Sequence, residues 1–342
     1  MFIYKFVKKY LKSYLKSIYN LLFMKNYHLS LMLMVLCLLS SCEDVVNPSI
    51  NSSKPTFIVD AFLTNEPLPQ TIRLTQTIGF LDNSQPQPAV LGATVQITNS
   101  NKEIFIFTDE KRDGNYTWKP KTPTQNLGEI GTSFTLMVSN NAETFSATSQ
   151  VKRTAIFDSL GYEFLAEGKE RSNAKEGYYA RIYSKNPNRF SKFFGKYIDS
   201  LGNPIFARDN IGVGDCYRIK TYRNDTLFMK PQELNLAYDA SFSKGGSTDG
   251  TSFIFPIRSA TTRADVPYKV GDKIQIDIIS LTEETFDYLN RVQVQQQNGG
   301  LFANPPSNVS TNIININPQS KIQALGWFCV SSRISKTVTV KK

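Results

Sequence analysis

Between residues 56 and 152 apolar and polar positions trade places in short runs. FIVDAFLT (57–64), QTIRLTQT (70–77), ATVQITN (93–99), EIFIFTDE (103–110), NYTWKP (115–120), SFTLMVSN (133–140) and TFSATSQV (144–151) are rich in β-branched and aromatic residues. A period near two in such residues predicts half-buried strands. Turn formers separate them: Asn65 to Pro69, Asp82 to Pro88, Asn99 to Asn101, and Asp113-Gly114. Closely spaced short strands of this kind predict a β-sandwich over 56–152. From residue 153 to 342 the runs 159–167, 177–185, 192–200, 215–223, 252–259, 273–281 and 326–340 predict a second β-rich domain. One segment changes period. Thr282 can cap a helix, Glu283 and Glu284 suit its positive end, and Asn298-Gly299-Gly300 can stop it. Phe286, Leu289 and Val292 form a narrow apolar stripe, so a helix over 282–298 is expected to cover one face or end of the second sheet. Pro305-Pro306 excludes regular helix beyond it. The fold class is therefore mainly β: an N-terminal immunoglobulin- or transthyretin-like sandwich, then a second β-rich domain with one helix packed on it.

The first 55 residues follow other rules. Leu29 to Leu39 is an oily run, too short for a membrane-spanning helix, which needs ~20 apolar residues. It suits the ~7–15-residue core of an export signal. Lys25 and His28 precede it and Ser40 and Ser41 close it. Leu39-Ser40-Ser41-Cys42 resembles a lipobox, the site at which bacterial lipoproteins are acylated and cut. The resemblance implies a signal peptide over 1–41, cleavage between Ser41 and Cys42, and fatty acyl chains such as palmitate on Cys42. One buried acyl chain holds a protein marginally and two or three hold it firmly, at ~0.8 kcal/mol per methylene. The competing reading is an uncleaved signal anchor. Residues 1–23 carry Lys5, Lys8, Lys9, Lys12 and Lys16 at helical spacing. They are either a basic helix lying on an anionic membrane or sequence upstream of a true start at Met24. Glu43 and Asp44 resemble the acidic surface-export signal of Bacteroidetes-type lipoproteins, or else only solvate a tether. Residues 42–55 form that lipidated tether, about 20 Å long as a flexible coil.

Removing the signal changes the charge balance. Six of the 39 basic residues and no acidic ones fall in 1–41, which leaves 33 basic against 29 acidic, net +4 rather than +10. No clustered basic stripe remains to support nucleic-acid binding. The only histidine leaves with the signal, which removes Ser-His-Asp and Cys-His catalysis and His-ligated zinc or iron. Cys216 and Cys329 stay as either a disulfide pair or two buried thiols.

Other chemistry is weak. Ser172 and Lys175 have the spacing of a nucleophile pair but lie in a polar stretch with no apolar walls. Asp109, Glu110 and Asp113 cluster in a hairpin turn without the spacing of a calcium loop. No pair of carboxylates and no phosphate-cradling loop is singled out. Catalytic residues, metals and cofactors are therefore expected to be absent. Aromatic residues supply 12% of the chain, and Tyr178, Tyr179, Tyr183, Phe193, Phe194 and Tyr197 crowd one short stretch. These rings can stack on a glycan or grip a peptide, or can pack across strands.

GATVQITNSNKEIFIFTDEKRDGNYTW (92–118) resembles transthyretin-like or carboxypeptidase-regulatory-like domains. The lipobox, Cys216-Tyr217, the 286–297 helix, NPPSNV and TNI within 304–313, and LGWFCVSS (325–332) follow in order. Together they resemble a Bacteroidetes family of outer-membrane lipoproteins known as domain of unknown function 4249. That resemblance implies an outer-membrane accessory of a TonB-dependent β-barrel transporter; Glu43 and Asp44 add the expectation of cell-surface display, the lack of a catalytic signature that of a non-catalytic role, and the aromatic stretch that of a glycan or peptide ligand. The alternative is an adhesin or carbohydrate-binding lipoprotein without a transporter.

Overall fold

β1 (Phe57–Thr64), β2 (Gln70–Gln76) and β5 (Asn115–Trp118) form one sheet of the N-terminal sandwich. The computed structural model describes residues 55–79, 86–154, 159–169, 172–183, 190–191, 196–197, 215–230, 232–238, 261–298 and 309–342. β3 (Thr94–Asn99), β4 (Ile104–Phe107), β6 (Ser133–Asn140) and β7 (Glu143–Gln150) form the facing sheet. Alternation drives the arrangement: on β1, Phe57, Val59, Ala61 and Leu63 point inward while Asp60 and Phe62 point out. The inward rows of both sheets meet in one core, where Phe57 stacks on Phe145 at 4.9 Å. Tyr116 is buried within it and its hydroxyl donates to the Val90 carbonyl at 2.9 Å.

The second sheet holds β12 (Cys216–Arg223), β13 (Thr226–Leu227), β14 (Leu236–Tyr238), β15 (Lys273–Leu281) and β18 (Arg333–Thr339), with β14 and β15 both paired to β12. Tyr217, Ile219, Ile274, Ile276 and Ile278 build its core with the hairpin of β8 (Ser159–Leu165) and β9 (Gly177–Tyr183). β10 (Phe190–Ser191) and β11 (Lys196–Tyr197) make a further short pair. The expected helix is α1 (Glu283–Gln297), the one helix among the described residues. Thr282 caps it as expected, its hydroxyl accepting from the Thr285 N–H at 3.2 Å. It packs Leu289 against Cys216 and Leu281 at one end of the second sheet. The chain is thus mainly β with a single packed helix.

The expected division at residues 152 and 153 is not kept in space. β16 (Ile314–Asn315) adds to β7, and β17 (Ala324–Ser331) lies parallel to β1 along its whole length, Phe57 opposite Ala324 and Thr64 opposite Ser331. Ile313, Ala324, Phe328 and Val330 complete the sandwich core. The run read as one strand, 326–340, is two, divided between the sheets at Ser332. There the Ser332 N–H donates to Ser280 Oγ at 2.9 Å and the Ser332 hydroxyl to the Lys152 carbonyl at 2.5 Å. All described residues accordingly fall in one compact unit, Ser53–Lys342. Parallel pairing needs a long crossover, and here everything between β1 and β17 is that crossover.

Candidate functional site

The aromatic stretch singled out from sequence is split by the strand it lies on. Successive side chains of β9 point to opposite faces, so Tyr178 and Tyr179 cannot act together. Tyr179 is buried and its hydroxyl donates to the Lys175 carbonyl at 2.6 Å, a packing role. It is corrected from the ligand-binding set for that reason. Tyr178 turns the other way, with Tyr162 and Phe164 edge-on to its ring at 5.7 and 5.3 Å. Tyr183 pairs with Ser159 at the end of β9, and Tyr197 pairs with Phe190. Phe193 and Phe194 lie outside the described residues.

Tyr178 opens on a groove. A single antiparallel bridge joins it to the segment just before β15, the Tyr178 and Tyr268 N–H groups each donating to the other's carbonyl at 3.0 Å. Phe164, Tyr178, Pro267 and Val270 supply apolar walls, and Lys175, Glu176, Asp265 and Lys269 supply charge of both signs. The cavity is about 420 Å³. Gly177 is required at its floor, because any side chain there would strike the Pro267 ring. Phe164 is 56% exposed and Val270 is 52% exposed, so the walls are open to a ligand. Below them Tyr268 is buried, which pushes its phenol well above the ordinary tyrosine range.

A second constellation was not anticipated. The outer face of β1 presents Asp60 and Phe62 toward α1 and the second sheet. Tyr288 of α1 stacks on Trp327 of β17 at 4.4 Å and lies over Phe62 at 6.5 Å. The Trp327 indole N–H donates to Thr285 Oγ1 at 2.9 Å, tying helix to sandwich. Along β12, Arg218, Lys220 and Tyr222 share the face opposite the core. Beside them Asp277 is fully buried, accepting from Ser335 Oγ at 2.6 Å and Gln275 Nε2 at 3.0 Å. Arg333 bridges Asp277 at 3.4 Å and Glu66 at 2.6 Å. Burial raises the Asp60 carboxyl above its usual value, against the opposing pull of Arg73, Arg218 and Lys220. Burial lowers both Arg218 and Lys220, and Arg218 lowers Lys220 further. The sequence held one hint of this seam, the alternation Arg218-x-Lys220-x-Tyr222, which on its own reads as a solvated strand face.

Other candidates resolve into structure. The Asp109 carboxylate accepts from the N–H groups of Asp113 at 3.1 Å and Gly114 at 3.0 Å, so it shapes a turn. Ser172 and Lys175 are both exposed. Cys216 and Cys329 carry no disulfide and stand as buried thiols. Cys216 packs with Leu281 and Leu289, while Cys329 sits on β17 with its sulfur 3.4 Å from Ser331 Oγ. Burial pushes the Cys329 thiol above its ordinary value. Ser41, Cys42, Glu43 and Asp44 lie outside the described residues. Among the described residues no helix is long and apolar enough to cross a membrane.

The model of a protein family described as Domain of unknown function (DUF4249) matches residues 43–337. No curated protein matches the chain.

Proposed function

The chain belongs to the family described as Domain of unknown function (DUF4249), and from that premise we propose that it is a lipid-anchored, non-catalytic binding protein of the bacterial outer membrane. In this reading Cys42 carries the acyl chains and Glu43 and Asp44 direct display on the cell surface. The N-terminal sandwich is a transthyretin-like scaffold, and the protein serves a TonB-dependent transporter of Bacteroidetes type. Two features support the placement. The family match begins at residue 43, directly after the cysteine at which cleavage would start the mature chain. The return of β17 to β1 joins the sandwich and the second sheet, so that one tether at the amino end would carry both.

The groove around Tyr178 carries the binding role. The open Phe164 ring and the adjoining charged side chains of both signs suit a glycan or an extended peptide, which stack on aromatic faces and hydrogen-bond at the rim. Purification of the acylated protein from its own membrane in mild detergent tests the assignment. A stoichiometric β-barrel partner supports the transporter role. Recovery without one favours a surface adhesin or carbohydrate-binding lipoprotein. Phe164→Ala is expected to weaken glycan or peptide binding about five- to tenfold, since an exposed aromatic anchor contributes more than 1 kcal/mol. Global stability should stay within ~1 kcal/mol, because the ring is largely in water. Unchanged affinity toward a ligand that wild type binds would remove the groove from the assignment.

A further inference from the structure

Ile314, Ile316 and Ile322 are 66%, 50% and 53% exposed, all on one short segment that begins with β16. Single exposed apolar residues are ordinary, but several on one braced segment mark a surface that something covers. The bracing is explicit. Asn315 Nδ2 donates to Glu143 Oε2 at 2.6 Å and to the Ile322 carbonyl at 2.9 Å, and the Ser320 hydroxyl donates to Glu143 Oε1 at 2.9 Å. Asn315 and Asn317 side-chain oxygens accept from the N–H groups of Asn317 and Gln319. Ile313 already fills the inward side, so its outward neighbours stay in water.

The patch lies at the end of the sandwich where the chain enters it. Ile322 stands two residues before Ala324, which pairs with Phe57 at the start of β1. β1 and β17 are parallel, so Pro55 and Ile322 precede their strands at the same end. Asn315 pairs with Phe145, whose ring stacks on Phe57, and the Ile316 N–H donates to the Thr144 carbonyl at 2.9 Å. The opposite end, where Thr64 meets Ser331, leads on to the second sheet.

We infer that Ile314, Ile316 and Ile322 dip into the membrane surface beside the acyl anchor, an inference that rests on the proposed acylation of Cys42. Given that anchor, a tether of residues 42–55 keeps this end of the fold about 20 Å from the lipid as a flexible coil. Attachment at one point raises the effective concentration for a second, so a weak apolar contact is enough. The bilayer is the apolar phase that the tether places within reach, and apolar side chains enter the headgroup–acyl boundary by about 5–10 Å. Lys321, exposed on the same segment, meets phosphate and anionic headgroups.

Quenching by labelled lipid tests the contact. Ile316→Cys and Leu68→Cys are made singly in the acylated protein and coupled to a fluorescent maleimide. Leu68 is 48% exposed in the β1–β2 turn, at the opposite end. Cys216 and Cys329 are buried and stay unlabelled. The proteins are reconstituted into vesicles of phosphatidylethanolamine and phosphatidylglycerol that carry a nitroxide on the acyl chain. Flotation of the wild-type protein with the vesicles reads the anchor itself. The probe at 316 is expected to be quenched at least about threefold more than the probe at 68, because it sits at the acyl boundary. Adding Ile314→Ser and Ile322→Ser should bring quenching at 316 down to the level at 68, with flotation and Tm unchanged. Flotation with equal quenching at both positions overturns the contact and leaves the anchor standing. Absence of flotation overturns both. Quenching at 316 that survives the two serines comes from the tether alone and overturns the contact. A probe at 316 unquenched in vesicles but shielded from a water-soluble quencher in native membranes marks a protein partner, and overturns it as well.

Discussion

Replacing Gly326 with alanine tests the joint that makes the molecule one body. Gly326 lies on β17 directly opposite Val59 of β1, with φ at +99°. An added Cβ would fall inside the Val59 carbonyl oxygen and 2.7 Å from its carbon. Backbone is on the receiving side, so no side chain can rotate away. Two costs add. Holding an alanine at this φ costs roughly 1–2 kcal/mol. Relieving the clash requires β17 to move off β1, and breaking two or three ladder hydrogen bonds costs about 1 kcal/mol each. The sum is ~3–5 kcal/mol, a large part of a typical total of 5–15 kcal/mol. At ~2–4 °C per kcal/mol for a chain of this size, Tm should fall on the order of 10 °C. Gly92→Ala is the matched control, since Gly92 also has positive φ (+74°) but open space where the Cβ would stand. Urea unfolding followed by tryptophan fluorescence reports the core at Trp118 and the joint at Trp327. If the two variants unfold within 1 kcal/mol of one another, the parallel pairing of β1 and β17 is refuted.

Burial raises the folded-state pKa of Asp60, so on acidification the native protein takes up that proton before the unfolded chain does. The group's contribution to stability therefore grows as pH falls from 7 through the raised pKa, and it is complete below the ordinary value of ~3.9. Asp60→Asn should be more stable than wild type at pH 7, with the advantage shrinking toward pH 4; equal pH slopes in thermal melts would contradict this. Cys42→Ser should abolish incorporation of labelled palmitate and leave an unprocessed, larger chain; a labelled, processed variant would exclude acylation at that sulfur.

Local pattern explains how much of the fold could be read from sequence. β1, β6 and β15 occupy the expected runs 57–64, 133–140 and 273–281, because apolar residues recur at every second position through most of each. The helix was legible from Thr282 and the two glutamates that follow it. β13, β14 and β16 are two or three residues long, too short for any period to emerge. The return of β17 to β1 was hidden for another reason. β1 reads as a strand and β17 as the first part of one longer run, 326–340, but nothing in either names its neighbour across the crossover. At the candidate sites, the adjacency of Tyr178 and Tyr179 already forbade a shared face, while their densely aromatic surroundings drew attention to both. The seam at Arg218 and Lys220 was invisible because covering a charged strand face is a tertiary event.

The strap through Ser332 also sets a schedule. β1 leaves the synthesis machinery early, but its neighbour on one side arrives only with residues 324–331. A chain emerging amino end first thus carries an open edge on β1 until residues 324–331 are made. The last strands of both layers, β16 and β17, then arrive together, within residues 314–331.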